Sequence, residues 1–159
     1  MSYRVPVSRQ IAWLSLVPQL FIIFLVMYLF KVAGVEEPAT FGAITYLIIS
    51  VLLKLVIAKD HRRGMSLVKS QRFEEAIPYF QKSYDFFNKN MWVDKWRSIT
   101  MLSSSAITYR EMAMLNHAFC LSQIGKGVEA HELYKATLSE FPDSSLALTA
   151  IRIYDSAKN

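Results

Sequence analysis

Two long apolar runs open the chain, and a more polar sequence with helical periodicity follows them. The runs are Ile11–Phe30 and Phe41–Ala58. A helix needs roughly 20 apolar residues to cross a bilayer, where no water can satisfy an open backbone. Apolar residues after the second run recur at helical rather than strand spacing. We therefore predict an all-α protein with a two-helix transmembrane hairpin at 1–58 and a helical domain at 59–159.

Two details of the runs leave alternatives open. Arg4 and Arg9 precede the first run, as they would in a cleaved secretory signal, but Lys31 rather than a small-residue cleavage site closes it. Lys54 lies about one helical turn from the end of the second run. Its ammonium can reach the headgroups along its stem, or it can line an ion pathway. The length of the first run favours a span, and the position of Lys54 favours the headgroups.

The charges beside the two runs predict their orientation. The connection between the runs, KVAGVEEPAT, has one Lys and two Glu. Short cytoplasmic segments retain Lys and Arg, so both termini are predicted to be cytoplasmic. We expect a two-pass integral membrane protein, in a bacterial inner membrane, that contacts lipid through both spans. The basic residues on which this rests are Arg4, Arg9, Lys59, Arg62, Arg63, Lys69 and Arg72.

Composition and motifs exclude several function classes. The formal charge of the chain is +5, but the sequence from Lys59 onward has 14 Lys and Arg against 11 Asp and Glu. It has no basic face that would predict nucleic-acid binding. Cys120 is the only cysteine and is expected to be a buried small residue. Phosphate loops, dinucleotide fingerprints and metal-ligand spacings are absent. We therefore expect no cofactor, no metal, no small-molecule substrate and no enzymatic activity.

Two stretches of the helical domain share one spacing of small and large apolar residues. Each has a small residue, a Leu three positions later, an Ala nine after that and an aromatic residue four further on. The matching positions are Gly64, Leu67, Ala76 and Phe80 in the first stretch, and Ala118, Leu121, Ala130 and Tyr134 in the second. The pattern resembles the tetratricopeptide repeat, a helix–turn–helix unit with small residues where its helices cross.

The two stretches are farther apart than consecutive repeats of that family. Ala76 and Ala130 are separated by 54 residues, against a period of about 34. We therefore predict an insertion at about 89–109 and repeats that do not stack simply. The final stretch, which begins with Ser144 and Ser145, is predicted to be a capping helix. The resemblance implies that the inner surface of the first helices binds a protein partner, through Arg62, Met65, Lys69, Asn116, Phe119 and Gln123.

The insertion and the overall function have competing interpretations. Trp92 and Trp96 are one turn apart and are expected on one helical face. The insertion, which also contains Val93, Ile99, Met101 and Leu102, is extra core packed against the repeats, a partner-binding patch or a membrane-interface segment, and the core interpretation is favoured. The expected function is that of a membrane-anchored adaptor or accessory subunit. The alternative is a structural subunit that assembles through its hairpin, with Gly42, Ala43 and Ser50 in close helix contacts.

Overall fold

The protein consists of helices and connecting turns, as the sequence predicts. The computed structural model describes residues 13–158, excluding the side chains of Leu14 and Lys158. Arg4, Arg9 and the first two residues of the first apolar run lie outside the described residues. No strand occurs between residues 13 and 158, so the all-α prediction is confirmed. The helices are α1 (Leu16–Val32), α2 (Pro38–Ile57), α3 (Lys59–Lys69), α4 (Phe73–Lys89), α5 (Met91–Lys95), α6 (Arg97–Thr100), α7 (Tyr109–Gln123), α8 (Gly127–Glu140) and α9 (Ser145–Lys158).

Residues 13–158 divide into two compact units. We call residues 13–54 together with 96–107 the N-terminal unit, and residues 55–95 together with 108–158 the helical unit. The segment 96–107 thus belongs to the unit that holds the apolar helices, although it lies within the predicted insertion. Helix α2 ends at Ile57, next to the predicted boundary between residues 58 and 59, and only Ala58 separates it from α3.

In the N-terminal unit, α1 and α2 approach each other closely. A Cβ atom on Gly42 of α2 would lie 2.7 Å from Cγ and 2.9 Å from Cα of Met27 on α1. Only glycine therefore permits this contact. The rings of Phe30 and Phe41 stack nearby, with centroids 6.3 Å apart. Gly34 allows the tight connection because its φ of +77° is in the left-handed region.

The predicted two-span hairpin is supported for one helix only. Among the described residues, α2 with its 20 residues is long and apolar enough to cross a membrane, whereas α1 is an apolar helix of 17 residues. The Lys54 ammonium donates a hydrogen bond to Oγ of Ser50, 3.0 Å away and one turn earlier in α2.

The helical unit is a stack of helices that pack in chain order. Helix α3 packs against α4, α4 against α7, α7 against α8 and α8 against α9. Small residues permit these crossings: Ala76, Ala118 and Ala130 are all buried, and a Cβ on Gly64 would lie 2.8 Å from the buried Phe80 ring. The packing of α4 on α7 brings the two hairpins into direct contact.

Helix α9 begins as the sequence predicts. Ser144 precedes the helix, and its Oγ accepts a hydrogen bond from the backbone N–H of Ala147 at 3.4 Å. A serine in this position satisfies one of the N–H groups that have no partner inside the helix. Ala147 itself is fully buried. The prediction of a Ser-capped terminal helix is confirmed.

The insertion forms two short helices instead of one longer one. Helix α5 ends at Lys95, and Trp96 is the N-cap of α6, so Trp92 and Trp96 do not share a helical face. Both side chains are exposed, at 63% and 54%. The favoured interpretation of the insertion as extra core is therefore wrong for the two tryptophans, whereas Val93, Met101 and Leu102 of the same insertion are buried.

Candidate functional site

The six predicted binding residues lie on two neighbouring helices of the helical unit. Helices α3 and α7 contact each other, and each supplies three residues at a helical spacing of three and four, which places them on one face. Arg62 and Lys69 are exposed, and the other four are half-buried. We call this set the α3/α7 face: Arg62, Met65, Lys69, Asn116, Phe119 and Gln123.

Phe119 is the aromatic residue of the α3/α7 face. Its ring meets the ring of Phe73, the first residue of α4, edge to face with centroids 5.9 Å apart. The contact fixes the orientation of the Phe119 ring while leaving part of it accessible. Aromatic side chains held in this way lose little conformational freedom on binding, and they are common anchors of protein interfaces.

The α3/α7 face carries positive charge. Arg62 and Lys69 are its charged members, and none of the six residues is acidic. Beyond Lys69, Arg72 forms an ion pair with Glu75 at 2.5 Å, and hydrogen bonding to Arg72 lowers the pKa of the Glu75 carboxyl. A neutral or acidic segment of a partner would complement the two basic residues of this face.

A buried histidine on α3 immediately precedes Arg62 of the α3/α7 face. His61 of α3 is 7% exposed, and its Nδ1 lies 3.4 Å from Oγ of Ser83 on α4. The rings of Phe80 and Tyr109 meet the imidazole edge to face, at 5.6 and 5.3 Å between centroids. Burial lowers the pKa of His61 to about 4. The imidazole is therefore neutral near pH 7 and acts as a packed, hydrogen-bonded residue that joins three helices.

Sequence reasoning missed a buried carboxylate that caps α7. Asp94 of α5 is 2% exposed, and its two oxygens accept hydrogen bonds from the backbone N–H groups of Tyr109 and Arg110, at 2.9 and 3.0 Å. Thr108 accepts a third from the N–H of Glu111. A negative charge at a helix N-terminus is stabilised by the helix dipole and by these donors. The cap holds the start of α7, and thereby the α7 part of the face.

A second cluster joins α4, α7 and the end of α8. One carboxylate oxygen of Glu140 accepts from the Tyr84 hydroxyl at 2.8 Å, and the other accepts from the Arg110 guanidinium. The guanidinium also lies over the ring of Phe141, 5.5 Å from its centroid. The aromatic rings around the ion pair limit its exposure to water. No spacing in the sequence signals this cluster, because Tyr84 and Glu140 are 56 residues apart.

The single cysteine is inert in this fold. Cys120 on α7 is fully buried, as predicted, and burial raises the pKa of its thiol to about 12. His117 is half-buried, and burial lowers its pKa. Within residues 13–158, no three side chains of His, Cys, Asp or Glu are grouped so that they could hold a metal ion.

Comparison with known proteins adds no relative. No protein-family model, curated protein or solved structure matches this chain.

Proposed function

We propose that this protein is a membrane-anchored interaction module, an adaptor or accessory subunit, whose tetratricopeptide-like helical unit binds a protein partner through the α3/α7 face. In this proposal α1 and α2 both cross the membrane, and both termini are cytoplasmic. The helical unit is then held beside the membrane, where it keeps its partner. A bacterial inner membrane fits the charge distribution along the sequence.

The surface of α1 supports the second membrane crossing. None of its described residues is buried, and its large exposed side chains include Phe21, Phe24 and Leu29. A water-exposed helix of this composition would be unfavourable, whereas lipid tails would cover it. Seventeen residues span about 26 Å, and bilayers adjust to a shortfall of a few Å by local thinning. The turn Trp13–Ser15 adds further apolar length before α1.

The packing order of the helical unit carries the binding proposal. Helices α3, α4, α7 and α8 pack successively, and the first helices of the two hairpins, α3 and α7, also contact each other. Small buried residues occur at the crossings where a tetratricopeptide repeat needs them. With only two hairpins the surface is short, so the proposed ligand is a short segment of the partner. The charges of Arg62 and Lys69 favour a neutral or acidic segment.

Co-purification of native partners tests the proposal. The tagged full-length chain is extracted from its own membranes as the unaltered protein and as Phe119→Ala, Asn116→Ala and Lys135→Ala variants at equal expression. Lys135 is exposed on α8 and forms an ion pair with Glu132 of the same helix, 3.1 Å away, so it serves as the matched control. Loss of an aromatic anchor typically costs ~1–3 kcal/mol, or about 5- to 150-fold in affinity.

The expected result is a reduced yield of one defined partner for Phe119→Ala and Asn116→Ala, and an unchanged yield for Lys135→Ala. Because Phe119 also packs on Phe73, the variants are checked for folding by the resistance of the buried Cys120 to alkylation. Equal recovery from folded variants would contradict binding through the α3/α7 face.

The alternative, assembly with other subunits through the hairpin, has less support. Gly42 already accommodates Met27 of the same chain, and Ser50 accepts a hydrogen bond from Lys54. These small residues are therefore engaged within the chain. The same co-purification distinguishes the two functions, because a partner recognised through the spans would be recovered equally with all three variants.

A further inference from the structure

The segment Trp96–Ile107 folds into a loop that one arginine holds closed. Arg97 donates from Nε to the carbonyl oxygen of Ser105 at 2.8 Å and from Nη2 to that of Ala106 at 2.7 Å. The backbone N–H of Ser103 donates back to the carbonyl of Arg97 at 3.0 Å. These bonds bring the two ends of the segment together, as in compact Ω-loops, which are frequently functional.

The loop separates its apolar side chains into two sets. Met101, Leu102 and Ile107 are buried, whereas Trp96 and Ile99 are 54% and 47% exposed. The left-handed backbone of Leu102, with φ of +47°, is a conformation that a leucine rarely adopts. A fixed loop that exposes a tryptophan and an isoleucine presents them in a defined arrangement. Exposed apolar groups of this kind commonly mark contact sites.

The position of the loop indicates what covers these residues. Helix α6, at the start of the loop, packs against α1, and both belong to the N-terminal unit. The exposed surface of α1 is apolar. The loop contains one charged residue, Arg97, whose guanidinium is bound to the two carbonyls. Its other polar side chains are those of serine and threonine, whose hydroxyls the headgroup region of a bilayer tolerates well.

We propose that Trp96 and Ile99 insert into the headgroup boundary of the bilayer that α1 crosses, so that the loop is a third contact with lipid beside the two spans. The inference rests on the proposed membrane crossing of α1. Tryptophan favours the membrane interface because its ring is amphipathic. Ile99, in the short helix α6 that Trp96 precedes, adds an aliphatic side chain. The loop contact thereby fixes the position of residues 96–107 relative to the membrane.

Depth-dependent fluorescence quenching in lipid vesicles tests the proposal. The full-length chain with Trp13→Phe and Trp92→Phe retains Trp96 as its only tryptophan. It is reconstituted into phosphatidylcholine and phosphatidylglycerol vesicles whose acyl chains carry bromine near the glycerol end or near the methyl end. In the control, Trp96 is also replaced by Phe, and Val128→Trp places the only tryptophan on α8, where Val128 is 69% exposed.

We expect blue-shifted Trp96 emission, quenched more by bromine near the glycerol end than by bromine near the methyl end. The control tryptophan should be quenched by aqueous acrylamide and hardly by either lipid. Trp96 that is as accessible to acrylamide as the control would overturn the proposal. So would protection of Trp96 in native membranes but not in pure lipid, since a protein partner would then cover it.

Retention of the chain after alkaline extraction separates the two levels of the proposal. A chain that is retained while Trp96 stays unquenched overturns only the loop contact. A chain that is released overturns the membrane crossing and the loop contact together.

Discussion

Replacing Ala130 by Arg tests the stacking of the helical unit at a buried small residue of α8. Ala130 lies in the first turns of α8, is 2% exposed, and belongs to the helix that packs between α7 and α9. An arginine there adds several heavy atoms and a guanidinium to a filled space. The chain offers a matched control on the same helix, because Ala136 is exposed.

Two costs add up in the Ala130→Arg variant. Overpacking a close-packed site costs roughly 1–3 kcal/mol, and burial of a polar group without partners costs about the same again or more. We expect the free energy of unfolding to fall by at least ~3 kcal/mol, a large share of the ~5–15 kcal/mol that stabilises a typical domain. For a domain of this size, such a loss lowers Tm by about 12 °C or more. Ala136→Arg should change the free energy by less than about 0.5 kcal/mol.

Cys120 supplies the assay. It is the only cysteine and is fully buried in α7, so a maleimide labels it only when the helical unit opens. Pulse labelling of the full-length chain along a urea series gives the unfolding midpoint of each variant. An unchanged midpoint for Ala130→Arg, or equal shifts for Ala130→Arg and Ala136→Arg, would refute the crossing at Ala130.

Acid should weaken the helical unit, because the pKa of buried His61 is about 4 in the folded protein against 6.5 for an unperturbed histidine. Between these pH values the unfolded state binds more protons than the folded state, so the free energy of unfolding should fall by ~3 kcal/mol from pH 6.5 to 4. The variant His61→Gln should flatten the pH dependence of the urea midpoint. An unaltered pH dependence in this variant would contradict the role of His61. Asp94→Asn keeps the size of the side chain but turns an amide N–H towards the start of α7, so it should lower the free energy of unfolding by about 1–2 kcal/mol. Asp85→Asn, at an exposed position, should leave this free energy almost unchanged. Equal losses in the two variants would argue against the cap. In a cysteine-free background, a membrane-impermeant maleimide should label Glu36→Cys in intact cells and Ser156→Cys only after permeabilisation, and labelling of Ser156→Cys from outside would exclude the cytoplasmic C-terminus.

The stack of the helical unit was largely predictable from sequence. Residues that face a neighbouring helix recur every three or four positions, and crossings require small side chains. Gly64, Ala76, Ala118 and Ala130 are all buried, as this rule demands. The predicted binding residues have the same spacing of three and four, and they lie on accessible faces of α3 and α7.

The insertion could not be predicted in the same way. Its structure depends on bonds between side chains and backbone groups that no periodicity encodes. Asp94 caps a helix that begins 15 residues later, and Arg97 binds carbonyls eight and nine residues away. The break between α5 and α6 separates Trp92 from Trp96, although an uninterrupted helix would have aligned them. His61 gave a weaker signal, since it lies three residues before Gly64 on the buried face of α3.

Site-specific photo-crosslinking in native membranes tests most directly whether the α3/α7 face binds a protein. A photoreactive phenylalanine analogue is placed at Gln123 on the face, and separately at Lys135 on α8 as the control. The proposed function predicts a discrete adduct with one protein from position 123, which Phe119→Ala weakens, and no such adduct from position 135. The absence of an adduct at 123, or the same adducts from both positions, would contradict it.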